Sequence, residues 1–436
     1  MAALAQRMLP ALSRPRSGLK PEQLAEVQRQ FAALCIQRHG DVITGRPVDG
    51  GSFLSPPGAL SMADFVKVCG LVRSAYEVAR KPEDIALLRD MFANLCRHLL
   101  DQGWDEGANV GGAGNPYDVR NWPPIFMAMR DVLAEEGLLR DVALGISWSM
   151  AALHGDVFVE KPSSNMDAFQ CFNRNYPALT LMLPDESERL QRLQAFKYHL
   201  DTVLTNNTTV GPDGTAYHHW MHHFAYASYS MPTILYFARD FAPTFLRLSP
   251  GAMERLKTYV YANAFACDKY SMPANLLGRA GVPMDYNFAE LAYALAISGT
   301  PDGSAALDPQ MAGLFLLHCS NPQDPRVAEL TAKGIKPLAL TGHWSFNGTA
   351  AALHRRDRWL VAGVGMVKFW RGLEIYGWME NNNYGRYARN GSLLVQSSGD
   401  PVSGEASGWR YDGWDWCHWP GATSLVRPQQ EMFDGY

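Results

Sequence analysis

The chain has 436 residues and a formal charge of −4, longer than the roughly 250–300 residues at which one hydrophobic core stops growing, so two units of unequal size are expected. Apolar residues at 47% and charged residues at 19% exclude a largely disordered protein, and the slight acidic excess argues against a nucleic-acid binder. No segment reaches the roughly 18 apolar residues of a membrane span, and seven cysteines without a CxxC pair disfavour a disulfide framework or zinc knuckle.

Taken from the start, Met1 to Leu12 has Arg7 in its middle and no small-residue cleavage pattern, so it does not read as a signal peptide. That predicts a cytoplasmic chain or one lacking its natural start. Up to about residue 335 the pattern is helical. Ile85, Leu88, Met91, Phe92, Leu95 and Leu99 follow the i, i+3, i+4, i+7 rule. Phe65 to Val78, Ile125 to Leu133, Leu190 to Leu204, Ile234 to Phe241, Leu256 to Phe265 and Phe288 to Ile297 read similarly. Breaks rich in Gly, Pro and Asp separate them, with no intervening strands, which calls for helix-on-helix packing.

After Gly334-Ile335-Lys336-Pro337 the character changes. Thr349 to His354, Trp359 to Val367 and Ser392 to Ser397 are short apolar or β-branched runs. Arg355-Arg356-Asp357-Arg358 reads as a hairpin connection and Asn381 to Asn383 as another turn. Residues 1–335 are therefore expected to form a helical domain and 336–436 the beginning of an antiparallel β domain. So few strands cannot hide their own edges, which predicts a C-terminal truncation.

The densest polar cluster runs from Asp213 to Tyr226 and holds His218, His219, His222 and His223. Helical i, i+4 spacing of these histidines would suit a metal, but a zinc peptidase helix needs Glu after its first His and no acidic third ligand is near. Metal is not expected at the site, and His218, His222 and His223 read better as hydrogen-bonded core groups. His219 and Tyr226 are seven residues apart, a spacing that on one helix would bring both to nearly the same face. A histidine and a tyrosine converging on one cleft can act as acid and base at carbon. Twelve Trp and eighteen Tyr also suit carbohydrate handling, since aromatic faces stack on sugar rings, although such residues equally serve as core.

Asp213-Gly-Thr-Ala-Tyr-His-His219, Tyr226, Gly278-Arg279, Glu374-Ile-Tyr, Asn383-Tyr-Gly-Arg-Tyr387, Gly413-Trp-Asp-Trp416 and Pro420-Gly-Ala-Thr423 occur in that order. This series resembles polysaccharide lyase family eight, which holds the chondroitin, hyaluronan and xanthan lyases, and is most similar to its chondroitin sulfate ABC lyases. The resemblance implies an α+β multidomain fold, an incomplete α/α toroid followed by the start of an antiparallel β-sandwich. It implies β-elimination on uronic-acid-containing glycosaminoglycans, with His219, Tyr226, Arg279 and Glu374 as the catalytic group and Asn165 near the substrate carboxylate. Arg174, Arg386 and Trp220 complete the candidate substrate contacts. No cofactor is required for this chemistry, and a structural divalent cation remains compatible with it. The implied protein is a monomer that binds a glycosaminoglycan, neither nucleic acid nor membrane, with a periplasmic or secreted parent.

Two departures accompany the resemblance. Gly112 to Arg120 lacks the histidine that ABC-type enzymes carry there, which is linked to iduronate processing, and this puts dermatan cleavage in question. Trp220 to His223 replace the family's Glu-Gly-Asn-Tyr with bulkier groups, so the subsite shape is expected to differ. Two other readings stay open. One is a glycoside hydrolase on an α/α barrel, drawing a carboxylate pair from Asp213, Asp285, Glu290 and Glu374. The other is a non-catalytic glycan-binding protein derived from a lyase.

Overall fold

The computed structural model describes residues 2–9, 18–49, 58–107, 120–149, 166–219, 221–267, 271–278, 284–357, 359–365 and 391–397. Helices dominate up to Ala332, and the longest strands follow from Gly342 onward. Contacts divide the chain into two units: residues Met1–Val203 with Asp240–Leu248, and residues Leu204–Arg239 with Ser249–Tyr436. The last helices and the strands therefore belong to the same unit.

In the first unit the helices Met62–Val78 and Pro82–Asp101 follow each other closely. Ser61 starts the former by accepting a hydrogen bond from the Asp64 amide at 3.1 Å, and Pro82 opens the latter where its missing N–H costs nothing. Phe65, Val72, Leu88, Phe92, Leu95 and Phe126 are fully buried between them and their neighbours, with the Phe92 and Phe126 rings 5.9 Å apart. Each such side chain contributes about 1.5–3 kcal/mol of transfer free energy. The single helix expected over Ile125–Leu133 is two, Pro123–Ala128 and Arg130–Glu135, because Met129 takes φ −98° and ψ 12°, outside the helical region. Cys69, Cys96, Cys171 and Cys267 are buried thiols, and a buried thiol behaves as a small hydrophobe.

The second unit contains the helices Phe224–Phe241, Pro250–Ala266, Ala289–Ile297, Pro309–His318 and Pro325–Ala332. Ser249, Asp308 and Asp324 stand immediately before three of them and cap them, each followed by Pro at the first helical position. Gly342–Phe346, Ala351–Arg356, Trp359–Val364 and Leu393–Gln396 form one antiparallel sheet with the strands side by side in chain order. Ala351, Leu353 and Arg355 point inward while Ala352, His354 and Arg356 point to solvent, the period-two alternation of a one-sided sheet.

Arg355 corrects the expectation that Arg355-Arg356-Asp357-Arg358 is all turn. It is a buried strand residue that donates from Nη1 to the carbonyls of Phe265, at 3.0 Å, and Cys267. Those carbonyls end the helix Pro250–Ala266, where a cation meets both unsatisfied acceptors and the negative end of the helix dipole. Arg356 pairs with Trp359 in the register, and Asp357 takes φ +53° in the connection. The turn expected at Asn381–Asn383 lies outside the described residues. Among the described residues no helix is long and apolar enough to cross a membrane.

Candidate active site

The segment from Thr209 to His223 folds back on itself before entering the helix Phe224–Phe241. Val210 bridges Ala216, and Tyr217–His218 pairs antiparallel with Met221–His222, with Tyr217 opposite His222 and His218 opposite Met221. His219 follows the first of these strands directly. His219 has φ +48°, the left-handed region that primed hairpin turns require. Histidine is among the few non-glycine residue types enriched there, yet the conformation costs about 1–2 kcal/mol. Backbone strain of this kind persists only where surrounding contacts hold it.

Those contacts come from within the same unit. The Asp213 carboxylate accepts from the Thr215 amide at 2.9 Å and the Gly348 amide at 3.0 Å, and its carbonyl accepts from Trp344 Nε1 at 2.9 Å. Asn263 Nδ2 donates to the Gly214 carbonyl at 3.0 Å. Arg255 donates to the Asn207 side chain and the Val210 carbonyl, both at 2.7 Å. His222 is fully buried, its Nδ1 accepting from the Ala216 amide at 3.1 Å and its ring stacked 4.9 Å from Phe346. His223 is equally buried and accepts at Nδ1 from the Tyr226 amide at 3.3 Å. The reading of His222 and His223 as core groups matches these positions.

His219 and Tyr226 do come together, but not by sharing a helix face as their spacing suggested. His219 sits in the hairpin turn and Tyr226 in the first turn of the helix Phe224–Phe241. Their ring centroids are 5.3 Å apart, edge to face. The His218 ring lies 3.8 Å from His219 and 4.0 Å from Tyr226, and the His223 ring stands perpendicular to Tyr226 at 4.5 Å. Tyr226 is only 6% exposed, whereas His219 is open to solvent. The arrangement is one phenol largely withdrawn from water, surrounded by imidazoles, beneath one accessible imidazole. A substrate reaching His219 would meet a group able to donate a hydrogen bond and, behind it, a phenol able to exchange a proton.

Gly278 is part of this frame. Its φ is +81°, and a Cβ placed there would lie 2.7 Å from His223 Cα and 2.9 Å from the His222 carbonyl oxygen. The Leu277 carbonyl also accepts from the Ala225 amide at 3.0 Å. Residues 277 and 278 are therefore laid against the start of the tyrosine's helix, immediately before Arg279. Arg279 itself, Glu374, Asn165, Trp220 and Arg386 lie outside the described residues. Arg174 is described: it is exposed and follows the π-helical turn Phe169–Asn173 in the first unit. Among the described residues no group of three or more His, Cys, Asp and Glu is placed to hold a metal ion.

Two of the carboxylates considered for hydrolysis have other duties. Asp213 spends its two side-chain oxygens on the backbone amides that fix the hairpin, and exposed Glu290 pairs with Arg326 at 2.6 Å. What the sequence reading missed is Tyr229, one helical turn beyond Tyr226, with its ring 5.1 Å from that of Tyr226. It also missed Pro232 inside the helix, which cannot donate to the Ser228 carbonyl four residues back. The hydroxyl of Tyr286 donates to that carbonyl instead, at 2.9 Å, and burial pushes this phenol well above its ordinary pKa, keeping it a donor.

Residues 56–324 match the family described as "Lyase, catalytic", a span that includes His219, Tyr226 and Arg279. The chain belongs to this lyase catalytic-domain family. The chondroitin sulfate ABC exolyase of Bacteroides thetaiotaomicron is 30% identical over 378 residues, covering 78% of this lyase-family chain and 36% of its own length. The chondroitin sulfate ABC endolyase of Proteus vulgaris is 28% identical over 379 residues, covering 83% and 35%. The chain thus spans about a third of the length of these relatives. In fold it is similar to the chondroitin AC lyase of Streptomyces coelicolor A3, with a TM-score of 0.56 at 15% identity over 92% of this chain and 57% of that one. A Paenibacillus xanthan lyase superposes with a TM-score of 0.52 at 12% identity, over 86% and 37%. The helix-rich architecture with a following β segment is that of the chondroitin lyase fold.

Proposed function

We propose that this protein cleaves uronic-acid-containing glycosaminoglycans of the chondroitin sulfate and hyaluronan class by β-elimination, leaving an unsaturated uronate at the new end. The observation that carries the reading is the buried Tyr226 phenol packed 5.3 Å from the His219 ring, itself held in a left-handed hairpin turn. The names of the relatives point to the same substrate class.

In this reaction the proton on C5 of the uronate leaves, the bond between C4 and the glycosidic oxygen breaks, and a C4–C5 double bond forms. The C5 proton is scarcely acidic while the neighbouring carboxylate is charged, so that group must first be neutralised by hydrogen bonds. Asn165 and His219 are the donors assigned to it, preorganised for the charge that builds in the enolate-like state. Tyr226 takes the proton and returns it to the departing oxygen. An isolated phenol has a pKa near ~10, so a cation must stabilise its anion. Arg279 fills that role, and the placement of Gly278 against His223 supports it. Glu374 orients Arg279 or His219. Trp220, Arg174 and Arg386 are the substrate contacts, by ring stacking and by charge on a polyanion.

Residues 1–335 form the catalytic helical domain, an incomplete α/α toroid in this reading, and 336–436 begin an antiparallel β-sandwich. The protein acts as a monomer, needs no cofactor, and works in the periplasm or outside the cell.

The test is ultraviolet absorbance during incubation with chondroitin, hyaluronan and dermatan, beside Tyr226→Phe. The expected result is an unsaturated-uronate signal that the variant lowers by about 10²–10⁴-fold, the range of general acid–base catalysis. New reducing ends without absorbance would mean hydrolysis. Binding without new ends would leave a glycan-binding protein.

A further inference from the structure

The helix that carries Tyr226 runs on, to Phe241, with an unusual open side. Of its eighteen residues only Arg239 and Asp240 are charged, both in the last turn. Surface helices ordinarily put charged and polar groups toward water. Here the residues that reach solvent are Tyr229, 41% exposed, and Tyr236, 38% exposed, with half-buried Pro232 and Thr233 between them. Tyr229 and Tyr236 are seven residues apart and so share a face, about 10 Å from each other along the axis. The guanidinium of Arg239 lies over the Tyr236 ring at 4.9 Å from its centroid. At the near end the face is continuous with the reaction centre through the 5.1 Å contact of Tyr226 and Tyr229.

We propose that this face is an outlying saccharide-binding stripe, in which Tyr229 stacks the sugar next to the cleaved bond. Tyr236 with Arg239 holds a ring and its anionic carboxylate or sulfate further along the same chain. The inference rests on the glycosaminoglycan reading above and extends it to the direction of the polymer, from His219 across Tyr226 and along the helix. Two features favour a sugar acid polymer over an apolar partner. The tyrosines present flat faces with polar edges, and between Tyr226 and Tyr236 the helix carries no carboxylate to repel a polyanion.

The test uses the full chain carrying Tyr226→Phe to stop turnover, with binding of a chondroitin sulfate tetrasaccharide and decasaccharide measured by calorimetry. Tyr236→Ala is expected to weaken the decasaccharide about threefold to tenfold, the worth of one aromatic contact, and to weaken the tetrasaccharide far less. Tyr236→Phe keeps the ring and should restore most of that affinity. Tyr229→Ala should weaken both oligosaccharides. The affected side chains are exposed, so an unchanged circular dichroism spectrum confirms the fold in each case. Decasaccharide affinity unchanged in Tyr236→Ala, or lost equally for both lengths, overturns the stripe. So does a failure of the chain to bind either oligosaccharide. Absorbance measured separately on the unmodified chain isolates the other premise. Length-dependent binding loss without unsaturated product would retain the stripe and refute the elimination. Product formation with length-independent binding would do the reverse.

Discussion

Substituting Gly278 by alanine tests whether the hairpin carrying His219 is held by its close neighbours. Two penalties can be separated at this position. The first is conformational: φ of +81° costs an L-residue about 1–2 kcal/mol, less the several tenths that alanine recovers by restricting the unfolded chain. The second is steric, because the new Cβ would lie 2.7 Å from His223 Cα and 2.9 Å from the His222 carbonyl oxygen. Backbone atoms cannot rotate away, and overpacking of this kind typically costs about 1–3 kcal/mol. Gly334 supplies the control in the same unit: its φ is +79° and nothing lies within 4 Å of a built Cβ. Gly334→Ala should therefore lose about 1 kcal/mol, and Gly278→Ala about 2–4 kcal/mol, measured as shifts of the urea midpoint. The displaced His223 accepts from the Tyr226 amide, so Gly278→Ala should also lower kcat in protein that remains folded, while Gly334→Ala should not. Equal destabilisation by the two substitutions, or an unaltered kcat in Gly278→Ala, would refute the claim that residue 278 buttresses Tyr226.

Arg355→Met keeps length and apolar bulk but removes the cation that closes the helix ending at Ala266. The stranded carbonyls should cost about 2–4 kcal/mol, read as a lower thermal midpoint; an unchanged midpoint would mean that water serves those carbonyls equally well. Acid should also destabilise the protein through two buried histidines. Burial pulls His199 and His318 down to about 4, with the Arg355 charge adding to the effect at His318, while the unfolded chain binds protons near ~6.5. Between those values the unfolded state holds the extra proton, so stability rises with pH and is lost as pH falls from ~6.5 toward 4, by about 3 kcal/mol for each group. His318→Phe should flatten the dependence of the urea midpoint over that window, and an unaltered slope would show that His318 does not carry it.

How much of this was legible in the sequence depended on how local the deciding contacts were. The helices over Met62–Val78, Pro82–Asp101 and Pro250–Ala266 announce themselves by apolar periodicity and by Ser or Pro at their starts, all within one turn. The break at Met129 does not, because the apolar pattern continues across it. The pairing of His219 with Tyr226 was anticipated on a mistaken geometry: two paired residues per strand are too short for strand alternation to register, so the run read as a helix. Tyr229 was overlooked for the same reason. Its place one turn after Tyr226 matters only once the helix is known to begin at Phe224.

Asp213 shows the limit most sharply. As a sequence element it was one more carboxylate available for hydrolysis, yet its partner is the amide of Gly348, 135 residues away. The same distant strand region supplies Trp344 to the Asp213 carbonyl and Phe346 to the His222 ring, and Asn275 reaches the Ala362 carbonyl at 3.1 Å. Four contacts of large sequence separation thus converge on the hairpin and its surroundings. They explain how a histidine can be kept at φ +48°: the cost of about 1–2 kcal/mol falls on one turn, while the bonds that offset it are spread over the sheet. The change from helix to strand after residue 335 is therefore not a change of role. Trp344, Phe346 and Gly348 from the strand region hold the hairpin carrying His219 together with Asn263 and Arg255 of the helix Pro250–Ala266, so strands and helices share one support.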